Sequence, residues 1–293
     1  MDLKRYLASR QKLIDRALNR YLPKENVKPA TIHKAMRYSL FAGGKRLRPI
    51  LCLAAAEACD GKIDNALPLA CALECIHTYS LVHDDLPSMD NDDLRRGRPT
   101  CHKVFGDGIA VLAGDALVTV AFEIVSRAKP TRRYDMSMLL REVAVAAGSR
   151  RLIAGQVADL EAEGQNASRD RVRYIHENKT AAILSASVRL GAMSANANAK
   201  QLGAITKFGR ALGLAFQIID DILDVTQTSE KLGKSAGKDV AAKKATYPAV
   251  IGLDASRAEA RRLTNAARSA LSIFVKKAEA LHALANFLLE REY

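Results

Sequence analysis

The chain has 293 residues, 48% of them hydrophobic, enough to bury a sizeable core. Lys and Arg number 45 against 32 Asp and Glu, a formal charge of +13, which directs attention to anionic partners such as nucleic acid, a membrane surface or phosphorylated metabolites. Few glycines (17) and prolines (8), aromatics at only 5% and abundant Ala and Leu suit helices more than sheets, and five cysteines without a Cys-x-x-Cys pair argue against a zinc module.

Apolar residues recur at helical spacing along almost the whole chain. Residues 3–21 predict an amphipathic helix ended by Pro23, too charged at its start for an export signal. A second helix over 30–42 stops at Gly43-Gly44, and a third runs from Pro49 to Cys59 before Asp60-Gly61. Residues 64–85 predict a long, largely buried helix, and 108–127 another. Helices over 132–163, 169–193 and 198–225 follow, then a Gly/Lys-rich loop over 226–239 and helices over 240–251, 256–272 and 276–290. Strand alternation is nowhere sustained, and no repeat or linker divides the chain, so residues 1–293 are expected to form a single all-α domain. No apolar run approaches the roughly 20 residues needed to span a bilayer. The odd cysteine count points to a reducing, cytoplasmic setting.

Two acidic clusters interrupt this apolar pattern. The first, His83-Asp84-Asp85-Leu86-Pro87-Ser88-Met89-Asp90-Asn91-Asp92-Asp93, closes the 64–85 helix, which Pro87 cannot extend. Carboxylates at a helix C-terminus are opposed by the helix dipole and by one another, so a cation is needed there; dense hard oxygen ligands suit Mg²⁺. The second is Phe216-Gln217-Ile218-Ile219-Asp220-Asp221-Ile222-Leu223-Asp224, in which Gln217, Asp220, Asp221 and Asp224 share one face of an otherwise apolar helix. Either cluster alone would fit a solvated helix face. Together they could hold Mg²⁺ between them, with substrate phosphate oxygens completing the ligand sphere.

Basic residues flank both clusters. Gly43-Gly44-Lys45-Arg46-Leu47-Arg48-Pro49 joins a glycine turn to three cations; it lacks P-loop spacing but offers phosphate-binding chemistry. Arg95-Arg96-Gly97-Arg98 follows the first cluster directly, and Lys234, Lys238, Lys243 and Lys244 follow the second, placed to close over it as a lid. Lys179-Thr180 interrupts an apolar helix, and His77 precedes Asp84 on the same helix face. Alternating anionic and cationic patches fit a metal–diphosphate site better than a nucleic-acid face, because a phosphate-backbone binder gains nothing from the Asp cluster.

The segments GGKRLRP (43–49), ECIHTYSLVHDDLPSMDNDDLRRGRPTCHK (74–103), AGDAL (113–117), GQ (155–156), ENKTA (177–181), FQIIDDILD (216–224) and GKSAGKD (233–239) resemble the trans-isoprenyl diphosphate synthase family over nearly the whole chain, closest to its bacterial farnesyl diphosphate synthases. The resemblance implies an all-α helical bundle around a central cavity, a homodimer, and head-to-tail condensation of isopentenyl diphosphate with an allylic diphosphate. It implies three Mg²⁺, replaceable by Mn²⁺, with Asp84, Asp85 and Asp90 holding two and Asp220, with Asp221 and Asp224, the third. Arg95, Lys179, Thr180, Gln217, Lys234 and Lys244 would grip the allylic diphosphate; Lys45, Arg48, His77 and Arg96 would bind isopentenyl diphosphate. Tyr79 and Ser80, five and four residues before Asp84, would line the pocket for the growing tail. A bulky Tyr79 together with the long Asp85-to-Asp90 spacing points to a C15 product, farnesyl diphosphate, with C20 geranylgeranyl diphosphate as the alternative. A terpene cyclase would carry an Asn/Ser/Glu metal motif in place of the second Asp cluster, and a non-catalytic basic protein would have no use for paired acid clusters.

Overall fold

A computed structural model describes residues 1–226 and 244–289, apart from the side chains of residues 275 and 276. Lys234, Lys238, Lys243 and most of the expected 226–239 lid lie outside the described residues.

The chain folds as helices packed around one continuous apolar core. Helix α1 (Leu3–Tyr21) begins at Asp2, whose carboxylate accepts from the Arg5 amide at 3.1 Å and so satisfies a free N-terminal donor. Helices α2 (Ala30–Leu40), α3 (Leu47–Ala58) and α4 (Ile63–Asp84) follow. Helix α4 buries residues from Ala66 to Val82 on nearly every side, as a sequence with no polar stripe requires, and forms the middle of the bundle. Short α5 (Cys101–Phe105) leads into α6 (Asp107–Val125), which lays Ala110, Ala113, Leu117 and Ala121 against α4. Then come α7 (Met136–Ala147), α8 (Leu152–Leu160), α9 (Arg169–Ile175), a π-helical turn (His176–Ala181), α10 (Ala182–Ser194) and α11 (Ala199–Thr226). The described C-terminal part comprises α12 (Tyr247–Ile251), α13 (Leu253–Ala270), a 3₁₀ turn (Ser272–Ala278) and α14 (Glu279–Leu289).

The structure departs from the helices expected over 132–163 and 169–193. The first breaks at Gly148 into α7 and α8, where residues 148–151 form a turn. The second is continuous along its length but widens into the π turn, which contains all of ENKTA. Of the expected 240–251 helix, residues 240–243 lie outside the described residues, 244–246 are not helical and Tyr247–Ile251 is. A two-residue ladder, β1 (Leu94–Arg95) with β2 (Arg98–Pro99), was not anticipated by the pattern. Helices α6 and α11 are both long and apolar enough to cross a bilayer by length and composition, a test that buried core helices also pass. Helix α11 is a core helix packed between α10 and α13, whereas α6 leaves Val111 and Leu112 exposed.

Candidate active site

The first acidic cluster is built by the way α4 ends. The helix stops at Asp84 and Asp85 caps it. The chain then curls back on itself: the Asp90 amide donates to the Asp84 carbonyl at 2.9 Å and the Asp92 amide to the Asp85 carbonyl at 3.2 Å. The four residues between Asp85 and Asp90 thus form a compact loop that returns Asp90 to the helix end. Burial pushes the Asp84 carboxyl up to about 6; Lys179 and Arg95 pull it down, while the neighbouring Asp90 and Asp85 push it further up.

Arg95 follows on the small hairpin. Its central residues, Arg96 (φ 55°) and Gly97 (φ 74°), both have positive φ, as a type I′ turn requires. This turn sends consecutive arginines to different partners. Arg95 forks onto Asp85, with Nε at 2.7 Å and Nη2 at 2.5 Å from Oδ1. Arg96 reaches the Gly43 carbonyl instead.

On the second cluster the four polar residues are not equivalent. Asp221 and Asp224 are buried, whereas Gln217 and Asp220 are half-buried. Asp221 accepts from the Tyr247 amide at 2.9 Å and from Gln217 Nε2 at 3.2 Å, and His176 Nε2 stands 3.3 Å from its Oδ2. Burial lowers the His176 imidazole to about 3, so the ring is neutral at working pH, and it stacks on Tyr247 with centroids 5.2 Å apart.

The π turn links the clusters. Lys179 lies close enough to Asp84 to lower its carboxyl and pairs with Asp159 at 2.5 Å. The next residue, Thr180, donates to Gln217 Oε1 at 2.9 Å. The π turn thus gives two consecutive residues different partners, Lys179 on Asp159 of α8 and Thr180 on Gln217 of α11. Gly155 of α8 makes the approach possible, because a Cβ there would stand 2.2 Å from the Lys179 amide nitrogen. From beyond α11, Lys244 places Nζ 3.3 Å from Asp90 Oδ1.

A basic pocket lies along α4 from these acids. Burial lowers the Arg48 guanidinium to about 10, and its buried Nε has no hydrogen-bond partner. Burial holds His77 far below its ordinary value, and Arg48, Arg96, Arg95 and Arg46 reinforce this. Lys45 is exposed, with Nζ 6.0 Å from the centre of the Phe287 ring. A neutral imidazole beside partly desolvated arginines suits a phosphate group, which supplies the missing negative charge.

Tyr79 is only 8% exposed and spans from α4 to the end of α7, where its hydroxyl meets the Ala147 carbonyl at 3.4 Å. Ser80 is half-buried and donates to the His77 carbonyl at 2.9 Å.

The donor set fits a divalent cation. Asp84, Asp85 and Asp90 crowd one helix end, where burial raises the carboxyls of Asp84 and Asp85. Among the described residues no three acid, imidazole or thiol groups converge closely enough to cage a cation unaided. Mg²⁺, commonly held by one or two carboxylates with phosphate oxygens and water, would need substrate oxygens to complete its shell here.

Asp159, His176 and Tyr247 escaped the sequence reading. Asp159 lies one helical turn after Gly155, the single hint available for any of them; the other two act through partners distant in sequence.

Comparison with known proteins agrees with this architecture. The family model described as polyprenyl synthetase matches residues 29–284. The chain is 49% identical over 297 aligned residues to a chloroplastic geranylgeranyl pyrophosphate synthase of Catharanthus roseus, covering 99% of this chain and 82% of that one. It superposes with a TM-score of 0.86 on the apo structure of an FPP/GFPP synthase from Zymomonas mobilis, at 35% identity and covering 98% and 99% of the two chains. A geranyltransferase from Helicobacter pylori, complexed with magnesium and isoprenyl diphosphate, superposes with a TM-score of 0.83 at 33% identity, covering 97% and 98%.

Proposed function

The chain belongs to the polyprenyl synthetase family, and from that membership we propose that it condenses isopentenyl diphosphate with dimethylallyl or geranyl diphosphate to give (E,E)-farnesyl diphosphate and diphosphate. The observation that supports this reading is the π turn, where Lys179, paired with Asp159, lowers the Asp84 carboxyl and the next residue, Thr180, donates to Gln217 beside Asp221.

Asp84, Asp85 and Asp90 on one wall and Asp220, Asp221 and Asp224 on the other are the candidate Mg²⁺ ligands; bound Mg²⁺ would neutralise the carboxylates and draw negative charge from the departing diphosphate. Arg95, Lys179, Gln217 and Lys244, with Thr180 at their edge, hold the allylic diphosphate, and Lys234 joins them by resemblance. As the allylic C–O bond breaks, the leaving group gains negative charge; fixed cations already aimed at it stabilise that charge with little reorganisation. Lys45, Arg48, His77 and Arg96 hold isopentenyl diphosphate so that its double bond attacks the allylic cation. The proton then lost passes to the released diphosphate. No protein nucleophile is required. Apolar walls exclude water that would otherwise trap the cation.

Residues from α1 through α14 share one core, which supports a single catalytic domain. Exposed Val111 and Leu112 on the apolar helix α6 support a homodimer formed through that face. Five buried free thiols support a cytoplasmic, reducing setting.

The 49% identity to a plant geranylgeranyl synthase favours a second reading, a C20 product. One assay separates the two. Enzyme is incubated with labelled isopentenyl diphosphate and each allylic starter, with and without Mg²⁺, and product length is read. A C15 product that requires the cation supports the first reading; C20 supports the second; no prenyl transfer overturns both.

A further inference from the structure

Of the three cations in Lys45-Arg46-Leu47-Arg48, one faces away from the basic pocket. Arg46 has a left-handed backbone (φ 49°), which turns its side chain inward to 2% exposure while Lys45 beside it is exposed. Its guanidinium is well supplied with acceptors. Nε donates to Asp15 Oδ1 at 2.8 Å, Nη1 to Glu74 Oε1 at 2.8 Å and to the Gly43 carbonyl at 3.4 Å, and Nη2 to the Leu40 carbonyl at 2.8 Å. Four of its five N–H donors are thus committed to the protein, and burial keeps the group from a substrate.

Its chief partner, Glu74, is 2% exposed and lies on α4 one turn ahead of His77. It is the acid that steadies the charge of Arg46, Arg48 and Arg96 alike. The glycine turn lies between two arginines. Arg46 holds the Gly43 carbonyl from one side and Arg96 from the other. Gly44 (φ 117°) adopts a backbone conformation that favours glycine, and a Cβ there would also displace the Arg96 guanidinium.

We propose that Arg46 and Glu74 are a positioning pair that fixes the Gly43-Gly44 turn, Arg48 and Arg96 around the second, homoallylic diphosphate, without touching that substrate themselves. The proposal rests on the reading of the Lys45, Arg48, His77 and Arg96 pocket as the isopentenyl diphosphate site. It also makes a prediction opposite in sign to that of simple electrostatics. Removing the negative charge of Glu74 leaves the pocket more positive, and Coulomb's law alone would then tighten diphosphate binding. If Glu74 acts by position, its removal loosens binding, because an arginine fork splayed by repulsion no longer matches the phosphate.

The test measures KM separately for the two substrates of the Mg²⁺-loaded enzyme, with circular dichroism and melting temperature as folding controls. Glu74→Gln is expected to raise KM for isopentenyl diphosphate about tenfold while KM for the allylic diphosphate stays within about twofold. Asp15→Asn removes the half-exposed outer partner of Arg46 and is expected to raise the first KM about threefold alone. This variant decides the matter if Glu74→Gln folds poorly. An unchanged or lowered KM for isopentenyl diphosphate, or a parallel rise in both KM values, overturns the positioning role. Arg48→Ala separates the two levels of inference. If it leaves KM for isopentenyl diphosphate unaltered, the pocket assignment itself fails; if it raises that KM and Glu74→Gln does not, only the positioning role fails.

Discussion

Lys244 Nζ stands 3.3 Å from Asp90 Oδ1, although 154 residues separate the two in sequence. The segment that follows the second acidic cluster thus already supplies a positive charge to the first. Such a lysine competes with a divalent cation for Asp90 and, once the cation is bound, is free to turn to a diphosphate oxygen. Lys244→Ala is expected to raise the allylic KM about tenfold while the Mg²⁺ concentration for half-maximal rate stays the same or falls. A higher Mg²⁺ requirement would show that Lys244 does not compete for Asp90.

The acidic clusters give the most direct test of the chemistry. Asp84→Ala and Asp220→Ala are each expected to lower kcat by at least about a hundredfold while the far-ultraviolet circular dichroism stays helical. Chelating the divalent cation should abolish turnover in the parent, and restoring Mg²⁺ should recover it. Parent-like rates in both variants would rule out the metal assignment.

Those clusters were legible because carboxylates inside apolar helices conflict with their surroundings, and a conflict of that kind shows in the sequence itself. Helix α4 was legible to within a residue at each end for the same reason: a run from Ala66 to Val82 with few polar residues has nowhere to go but the core. The π turn was not. His176–Ala181 is compatible with an ordinary α-helix, and its widening comes from Lys179 reaching Asp159 and from Gly155 admitting the backbone, both of which are tertiary contacts. The break between α7 and α8 was hidden similarly, since a lone Gly148 in an apolar pattern is tolerated in many helices. His176 carried no local signal because its partners, Asp221 and Tyr247, lie far along the chain.

Gly155 lends itself to a packing test. A Cβ at this position would stand 2.2 Å from the Lys179 nitrogen and 2.6 Å from its Cα, so α8 must shift or the π turn must. Gly155→Ala should destabilise the fold by about 1–3 kcal/mol, read from denaturant melts, and should raise the allylic KM by displacing Lys179. The same substitution at Gly203 meets nothing within 4 Å and serves as the control, expected to be neutral or slightly stabilising.

Two histidines, His176 buried and His77 half-buried, are expected to weaken the fold in acid. Burial holds His77 well below its ordinary value and His176 at about 3, whereas in the unfolded chain each titrates near 6.5. Below about pH 6.5 the unfolded state therefore binds protons that the native state refuses. Each histidine then withdraws stability as pH falls, by up to about 1.4 kcal/mol per pH unit, and withdraws none above that range. The melting temperature of the substrate-free protein should fall between pH 6.5 and 5, and His77→Asn should reduce that slope by about half. An equal slope in parent and variant would assign the loss elsewhere.

On the proposed reading, Tyr79 sets product length. Its ring is nearly fully buried, its hydroxyl reaches the Ala147 carbonyl on the facing helix at 3.4 Å, and the His83 ring stands edge-on at 5.8 Å. A side chain so placed spans from α4 to the end of α7 and, on the proposed reading, would stand in the path of an allylic tail anchored near Asp84. The 3.4 Å contact is too long to hold much energy, so bulk and not hydrogen bonding should determine where growth stops. Tyr79→Phe is then expected to keep the parent product, whereas Tyr79→Ala opens the floor and lengthens the product by at least one C5 unit, read by chromatography of the labelled alcohols. If Tyr79→Ala leaves the length unchanged, the floor lies elsewhere. If Tyr79→Phe lengthens the product, the hydroxyl anchor to Ala147 holds the ring in place and the purely steric account fails.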